Sequence, residues 1–281
     1  MDLRRVLVIG GLGVGLVLAG CGGSGGSGTA AGGTAPAPTP SASATAGATP
    51  AAATPSGSAS GAAAPSAQAA GNARAALATA ARKLAEDSVR MTMDMGTLLK
   101  ASGVADPATG AMQMRMQVGG AQSMTLDMRN TGKDLYLRFG GQLGKSLGDQ
   151  WLHVESSRLP GNFGVGSAQD PGDAQRLLRS VTQVRQDGPG RFTGTLDATK
   201  SPSANPRSVQ ALGAKAKAVP FTAEVDAEGR LIGLTLQMDA VQPGLPAMKA
   251  RYSDFGTPVA VSKPAGRIVK APQEMIDAMN R

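Results

Sequence analysis

One cysteine, one histidine and one tryptophan stand among the 281 residues, and aromatic side chains make up only 3% of the chain. A lone Cys excludes a disulfide within the chain, and with a lone His it leaves no side-chain set for a structural zinc site. Metal chemistry is therefore not expected. The formal charge of +8 would suit a polyanion, but the interleaved aromatics on which single-strand binders stack bases are missing, so nucleic acid is not an expected partner. No repeat of solenoid length is visible. No two carboxylates stand out as an acid/base couple either, because Asp and Glu are scattered through turns and polar strand faces.

What is present begins with an address. Arg4 and Arg5 precede an apolar stretch over residues 6–19, followed by Leu18-Ala19-Gly20-Cys21. The stretch is too short to cross roughly 30 Å of hydrocarbon as a mature helix, and small residues precede the cysteine, so it reads as a removable export signal. It resembles a bacterial lipoprotein signal with its lipobox. The resemblance implies cleavage after residue 20 and a thioether-linked diacylglycerol on Cys21, with an N-acyl chain as a further option. Two acyl chains anchor stably where one, at about 0.8 kcal/mol per buried methylene, binds only marginally. The alternative is an unmodified Cys behind an uncleaved anchor. Gly10, Gly11, Gly13 and Gly15 lie within the signal and follow no strand, so they are not a phosphate loop. Without residues 1–20 the chain keeps 26 basic and 19 acidic residues, a charge of +7. That charge favours an anionic membrane surface, although its dispersal equally fits an ordinary solvated exterior.

Residues 21–72 are the lipidated Cys and a tether. Gly22 to Asn72 is Gly, Ala, Ser, Thr and Pro almost throughout, without a charge, an aromatic or a branched aliphatic side chain. Such a segment cannot bury enough to offset its ordering entropy. Flexible-chain scaling gives it a reach of about 40 Å, and its Ser/Thr/Pro content would permit O-glycosylation. Residues 73–281 carry every remaining charge and suit one domain.

Within that domain, Asn72 is placed to cap an Ala-rich helix to Glu86, with Leu77, Ala80, Ala81, Leu84 and Ala85 along one face. The period then becomes two. Met91, Met93 and Met95 alternate with polar residues, and the same pattern returns as Met112, Met114, Met116 and Val118, as Met124, Leu126 and Met128, as Leu135, Leu137 and Phe139, and as Leu152 and Val154. This predicts four or five strands of an antiparallel sheet, apolar on one face and wet on the other. Further expectations are a helix over 170–186, a strand over 191–198, a short helix over 203–212, and a hairpin of 221–225 with 232–238 across Asp226-Ala227-Glu228-Gly229. Strands over 248–254 and 258–262 and a terminal helix over 272–280 complete an α+β domain.

Gly144-Lys145-Ser146-Leu147-Gly148 matches a nucleophile elbow, but an extended segment follows instead of a helix, and His153 is only seven residues on. The triad geometry needs a distant His, so no catalytic residue is assigned. The methionines are the informative excess: eight of the 13 lie between residues 91 and 128, all on apolar rows. Met is flexible and polarizable, so a wall of it can accommodate ligands of variable shape. It also fills ordinary cores, and periodicity does not separate the two.

Several segments together resemble the LppX/LprA/LprF/LprG lipoproteins of actinobacteria: the lipobox, Ser88-Val89-Arg90-Met91-Thr92-Met93, Lys133-Asp134-Leu135-Tyr136-Leu137-Arg138, the Trp151 strand, Asp226-Ala227-Glu228-Gly229-Arg230-Leu231, and Tyr252-Ser253-Asp254-Phe255-Gly256 before Pro258-Val259. The resemblance spans most of residues 73–270. It implies a LolA-like fold, a curved antiparallel half-barrel with helices covering its concave apolar face. It also implies a protein at the outer face of the cytoplasmic membrane that binds and carries acylated lipids or glycolipids in an apolar cavity. No enzyme activity, metal or dissociable cofactor follows from it, and an envelope protein partner is left unspecified. Two features depart from the family: the long tether, and Met where Val, Ile or Phe is common. The expected cavity wall, read from the alternation, is Met91, Met93, Met95, Met112, Met114, Met116, Met124, Leu126, Met128, Leu135, Leu137 and Phe139. The alternative from another class is a tethered interaction or sensory module with a filled core; a hydrolase comes third.

Overall fold

The computed structural model describes residues 67–120, 123–158, 166–200 and 213–279. The segments expected to be an export signal (residues 1–20) and a tether up to residue 66, with Cys21, and the helix expected over 203–212 lie outside the described residues. The first element is helix α1, Ala67–Arg82, continued by a 3-10 turn at Lys83–Ala85. Alanine has the highest helix propensity, and the helix begins before Asn72, which is an exposed interior residue and not the cap expected from the sequence. Ala73, Leu77, Ala80 and Ala81 are buried at helical spacing, and Leu84 follows them inward.

Six strands come next: β1 Val89–Asp94, β2 Leu99–Asp106, β3 Ala111–Val118, β4 Met124–Thr131, β5 Asp134–Phe139 and β6 Trp151–Glu155, with a short helix α2, Gly141–Ser146, before the last. The two-residue strands β7 Gly166–Ser167 and β8 Asp170–Pro171 pair with each other, and helix α3, Ala174–Arg179, follows. Five more strands, β9 Val181–Gln186, β10 Arg191–Leu196, β11 Val219–Val225, β12 Leu231–Leu236 and β13 Met248–Ser253, precede β14 Ile268–Lys270 and helix α4 Gln273–Met279.

Twelve of these strands form one open sheet in the order β14-β6-β5-β4-β3-β2-β1-β13-β12-β11-β10-β9. The β14–β6 pair is parallel and the other neighbours are antiparallel. The fold is α+β, as the alternating pattern predicts. Two meanders compose the sheet, β1–β6 and β9–β13, and they are joined where β1 pairs with β13 from Arg90↔Ser253 to Asp94↔Lys249.

Three local expectations are corrected. Strand β2 is not among the segments expected from the sequence, because its core-facing residues are Leu99, Ala101, Gly103 and Ala105 while Val104 lies on the polar face. Small residues inside and an aliphatic one outside erase the hydropathy contrast that betrays a strand. The helix expected over 170–186 is only the six residues of α3. Ser180 ends it with a hydroxyl bond to the Leu177 carbonyl at 2.7 Å, and the β-branched Val181, Thr182 and Val184 run on as the edge strand β9. Residues 258–262 do not pair as a strand. They belong to a connection, residues 254–267, that leads from β13 to β14 and so has to cross the six strands between them. Val259 and Val261 are half-buried and their neighbours exposed, so the alternation is real although no strand runs alongside.

Two strand glycines mark close backbone approaches. A Cβ at Gly103 would meet the Gln113 carbonyl oxygen, and one at Gly194 the Gln183 carbonyl oxygen. Gly194→Ala should therefore destabilise the fold by about 1–3 kcal/mol, the usual cost of overpacking, read as a lower urea midpoint with an unchanged slope; an unaltered midpoint would show that the strands can part at no cost.

Candidate functional site

Strand register places eleven of the twelve expected wall residues. One row across the sheet is Met91, Gly103, Met114, Met128, Leu137 and Leu152, and the next is Met93, Ala101, Met116, Leu126 and Phe139. A third row contains Met112, Asn130, Leu135 and Val154. Met124 opposes Val118 at the end of β4, and Met95 follows β1 with its backbone N–H on the Leu99 carbonyl at 2.8 Å. The expected wall is thus one contiguous surface, because successive side chains of each strand point to opposite faces and the register keeps like with like.

The structure adds residues to this face that the sequence alone did not nominate. Ala101, Gly103 and Ala105 form a shallow column on β2 between the methionine columns of β1 and β3. Across the join, Tyr252 opposes Met91 and Ala250 opposes Met93, and Leu234 and Ala223 continue that row. The only sequence signal for the shallow column is the polar partner set Lys100 and Ser102, which is too short to define a strand.

The segment through β8 and α3 is packed on the methionines. A Cβ on Gly172 would lie 2.9 Å from Met91 Sδ, 3.3 Å from Tyr252 Oη and 3.6 Å from Met93 Sδ. Gly172 has φ +69°, a conformation that glycine adopts without steric cost. The Tyr252 hydroxyl donates to the Pro171 carbonyl at 3.1 Å with both groups buried, and burial pushes the phenol pKa up. Asp170 accepts the backbone N–H of Gln175 at 2.8 Å and of Arg176 at 3.2 Å, which ties the start of α3. Arg176 reaches Asp173 at 3.2 Å. Burial raises the Asp170 pKa; the nearby Asp173 adds to this, and the bonds from Gln175 and Arg176 oppose it. Helix α1 packs against α3 and against β9, β11 and β12, and Arg74 donates to the Val181 and Thr182 carbonyls of the β9 edge.

Ten of the wall residues are between 0% and 6% exposed, while Met93 and Met124 are half-buried. Protein atoms meet the wall across its width, so its thioether side chains are packed against the protein itself.

The serine and histidine of the elbow-like segment are occupied separately. Ser146 ends α2 and donates to the Gln142 carbonyl at 3.0 Å. His153 lies on the polar face, stacked on Tyr136 with centroids 5.1 Å apart and its Nε2 2.6 Å from Asp134 Oδ1. Among the described residues no group of three or more His, Cys, Asp or Glu is gathered as metal ligands, and no helix is long and apolar enough to cross a membrane. No protein-family model matches the chain, and no curated protein matches it.

Two measurements test the covering segment. Tyr252→Phe leaves the buried Pro171 carbonyl unpaired, which should cost about 1–3 kcal/mol in denaturant unfolding; no loss would mean that the bond holds nothing down. A carboxyl with a folded pKa above its unfolded value, about 3.9, stabilises the fold fully below that unfolded value and loses this contribution as pH rises through the folded one. The wild type should therefore gain stability relative to Asp170→Asn as pH falls from 7 towards 4, and a pH-independent difference would count against the raised pKa.

Proposed function

We propose that the chain is an exported, acyl-anchored protein that binds acylated lipids or glycolipids and carries them within the cell envelope. The observation that carries the reading is that eleven of the twelve wall residues share one methionine-rich face of a single sheet. In this reading the sheet is the curved half-barrel of the LppX/LprA/LprF/LprG lipoproteins, with α1 and α3 over its concave side. Supporting the curvature are Gly103 and Gly194, where the neighbouring strand comes too close for a side chain.

The chemistry is non-covalent. An acyl chain gains about 25 cal/mol for each Å² of apolar surface withdrawn from water, and the ligand's head group stays wet at the mouth. Because protein atoms pack against the wall, entry requires the methionines to change rotamer and the segment around Gly172 to lift. Unbranched thioether side chains with three rotatable bonds do so at little cost. Cys21 would carry the diacylglycerol that holds the protein at the outer face of the cytoplasmic membrane, and the tether would set its distance from it.

The near-complete burial of the wall favours a second reading, a tethered interaction or sensory module with a filled core. Native mass spectrometry of the chain beginning at residue 22 separates them. A carrier retains a co-purified lipid through gel filtration and takes up a fluorescent acyl probe, whereas a bare apo mass with no uptake favours the filled core. Met114→Trp should abolish uptake while the protein stays folded, and undiminished uptake would mean that the lipid sits elsewhere. For the anchor, Cys21→Ala should leave unprocessed precursor that incorporates no labelled palmitate; normal processing and labelling would remove Cys21 as the attachment site.

A further inference from the structure

The opposite face of the sheet carries a second feature, which the lipid reading does not use. Where β1–β6 lie side by side, a groove of about 350 Å³ opens among Arg90, Arg115, Asp127, Arg129, Arg138 and Trp151. This lies within the range of about 300–1,000 Å³ typical of small-molecule clefts. The register accounts for the gathering. Arg115, Asp127, Arg138 and Trp151 are successive members of one row, and Arg90 and Arg129 belong to the adjacent row.

The charges in this groove do not cancel. Arg90 is paired with Asp254 outside it, at 2.5 Å. Among the described residues Asp127 is the one carboxylate lining the groove, and it receives two guanidinium groups, Arg115 at 2.6 Å and Arg138 at 2.8 Å. Arg129 has no carboxylate partner among the described residues; its Nη1 donates to the Ser262 carbonyl at 3.4 Å, on the connection that crosses this face. Arg115, Arg129 and Arg138 against Asp127 thus leave two uncompensated positive charges. Burial raises the Asp127 pKa, but the hydrogen bonds and charges of Arg115 and Arg138 outweigh it and hold the carboxyl below its ordinary value, so the neutralisation is already complete at neutral pH.

The cations are also held in place. The guanidinium carbon of Arg138 lies 4.7 Å from the Trp151 ring centroid and that of Arg129 lies 5.5 Å from it. Stacking on one indole fixes both planar forks before any ligand arrives, which reduces the side-chain entropy lost on binding. Arg138 spends Nη2 on Asp127, and Arg129 spends Nη1 on Ser262. Each keeps further N–H donors for an acceptor placed between them.

The geometry points to an oxyanion site at Arg129 and Arg138 beside Trp151, suited to the phosphate of a phosphate ester. A tetrahedral anionic group with two or three unesterified oxygens can meet two guanidinium forks at once, and such charge-assisted contacts are about twice as strong as neutral ones. The phosphate could belong to a soluble ester or to a phospholipid head group, and the site recognises what the two share. Its floor includes Gly103, Met114 and Met128, whose place in the register belongs to the opposite, methionine face of the same strands.

Trp151 is the only tryptophan in the chain, so its fluorescence reports the site directly. The full chain is reconstituted in vesicles of digalactosyldiacylglycerol, a bilayer lipid without phosphate. In one arm inorganic phosphate is added at constant ionic strength set with sodium chloride, and in the other phosphatidylglycerol is mixed into the vesicles. A saturable emission change with inorganic phosphate supports the site with a soluble source. A change with phosphatidylglycerol alone supports it with a head-group source. In either arm Arg129→Gln should weaken the response at least tenfold and Arg129→Lys should weaken it less, while Arg185→Gln, on the edge strand β9 outside the groove, leaves it intact. No response in either arm beyond the salt control, or a response that survives Arg129→Gln, overturns the proposal. Acyl-probe uptake measured on the same variants should not change, so a failure here is distinguishable from a failure of the lipid reading.

Discussion

The pairing of β1 with β13 is the constraint on which the rest of the molecule depends. Each meander taken alone is a sheet with one apolar face, and sheets of that kind must cover that face to be stable. Five register pairs from Arg90↔Ser253 to Asp94↔Lys249 fuse the two into one ladder. They also set its phase: Met91 falls opposite Tyr252 and Met93 opposite Ala250, so the apolar rows of both halves are continuous. A slip of one residue would turn one half over and put its core residues in water.

With the phase set, the two faces acquire different chemistry from the same backbone. One carries thioethers, aliphatic residues and a shallow alanine and glycine column, covered by a segment whose buried Asp170 and Asp173 are engaged locally and whose Pro171 carbonyl accepts the Tyr252 hydroxyl of β13. The other carries arginines whose carboxylate partners are too few. The connection over residues 254–267 belongs to that polar face at Arg129 and delivers β14 to the far side of β6, where the Trp151 backbone N–H donates to the Arg267 carbonyl at 2.9 Å. A late segment of the chain thereby comes to lie beside strands formed by its middle.

Much of the first meander was legible. Alternation over β1, β3, β4, β5 and β6 identified both the strands and the residues that share a face, because long side chains of contrasting polarity at period two suit a half-buried strand and no helix. Strand β2 escaped because Ala101, Gly103 and Ala105 provide no contrast with Ser102 and Val104. The stretch 170–186 misled for the opposite reason: Leu177, Leu178, Val181 and Val184 have helical spacing, yet they are divided between α3 and an edge strand by the turn at Ser180. Val259 and Val261 alternate like a strand but cross the sheet, and local pattern carries no information about the direction of a neighbour.

By itself the sequence determined the α+β class, the turn at Asp226 to Gly229 and the membership of the methionine wall, since each of these follows from side-chain type at a short and regular spacing. Only the tertiary structure decided that the wall is packed by its own protein, that Tyr252 stands over Pro171, and that four arginines and the one tryptophan meet in a groove. Tyr252 lies 81 positions from Pro171 and the groove residues are spread from Arg90 to Trp151, and strand order, which no local period encodes, is what brings them together.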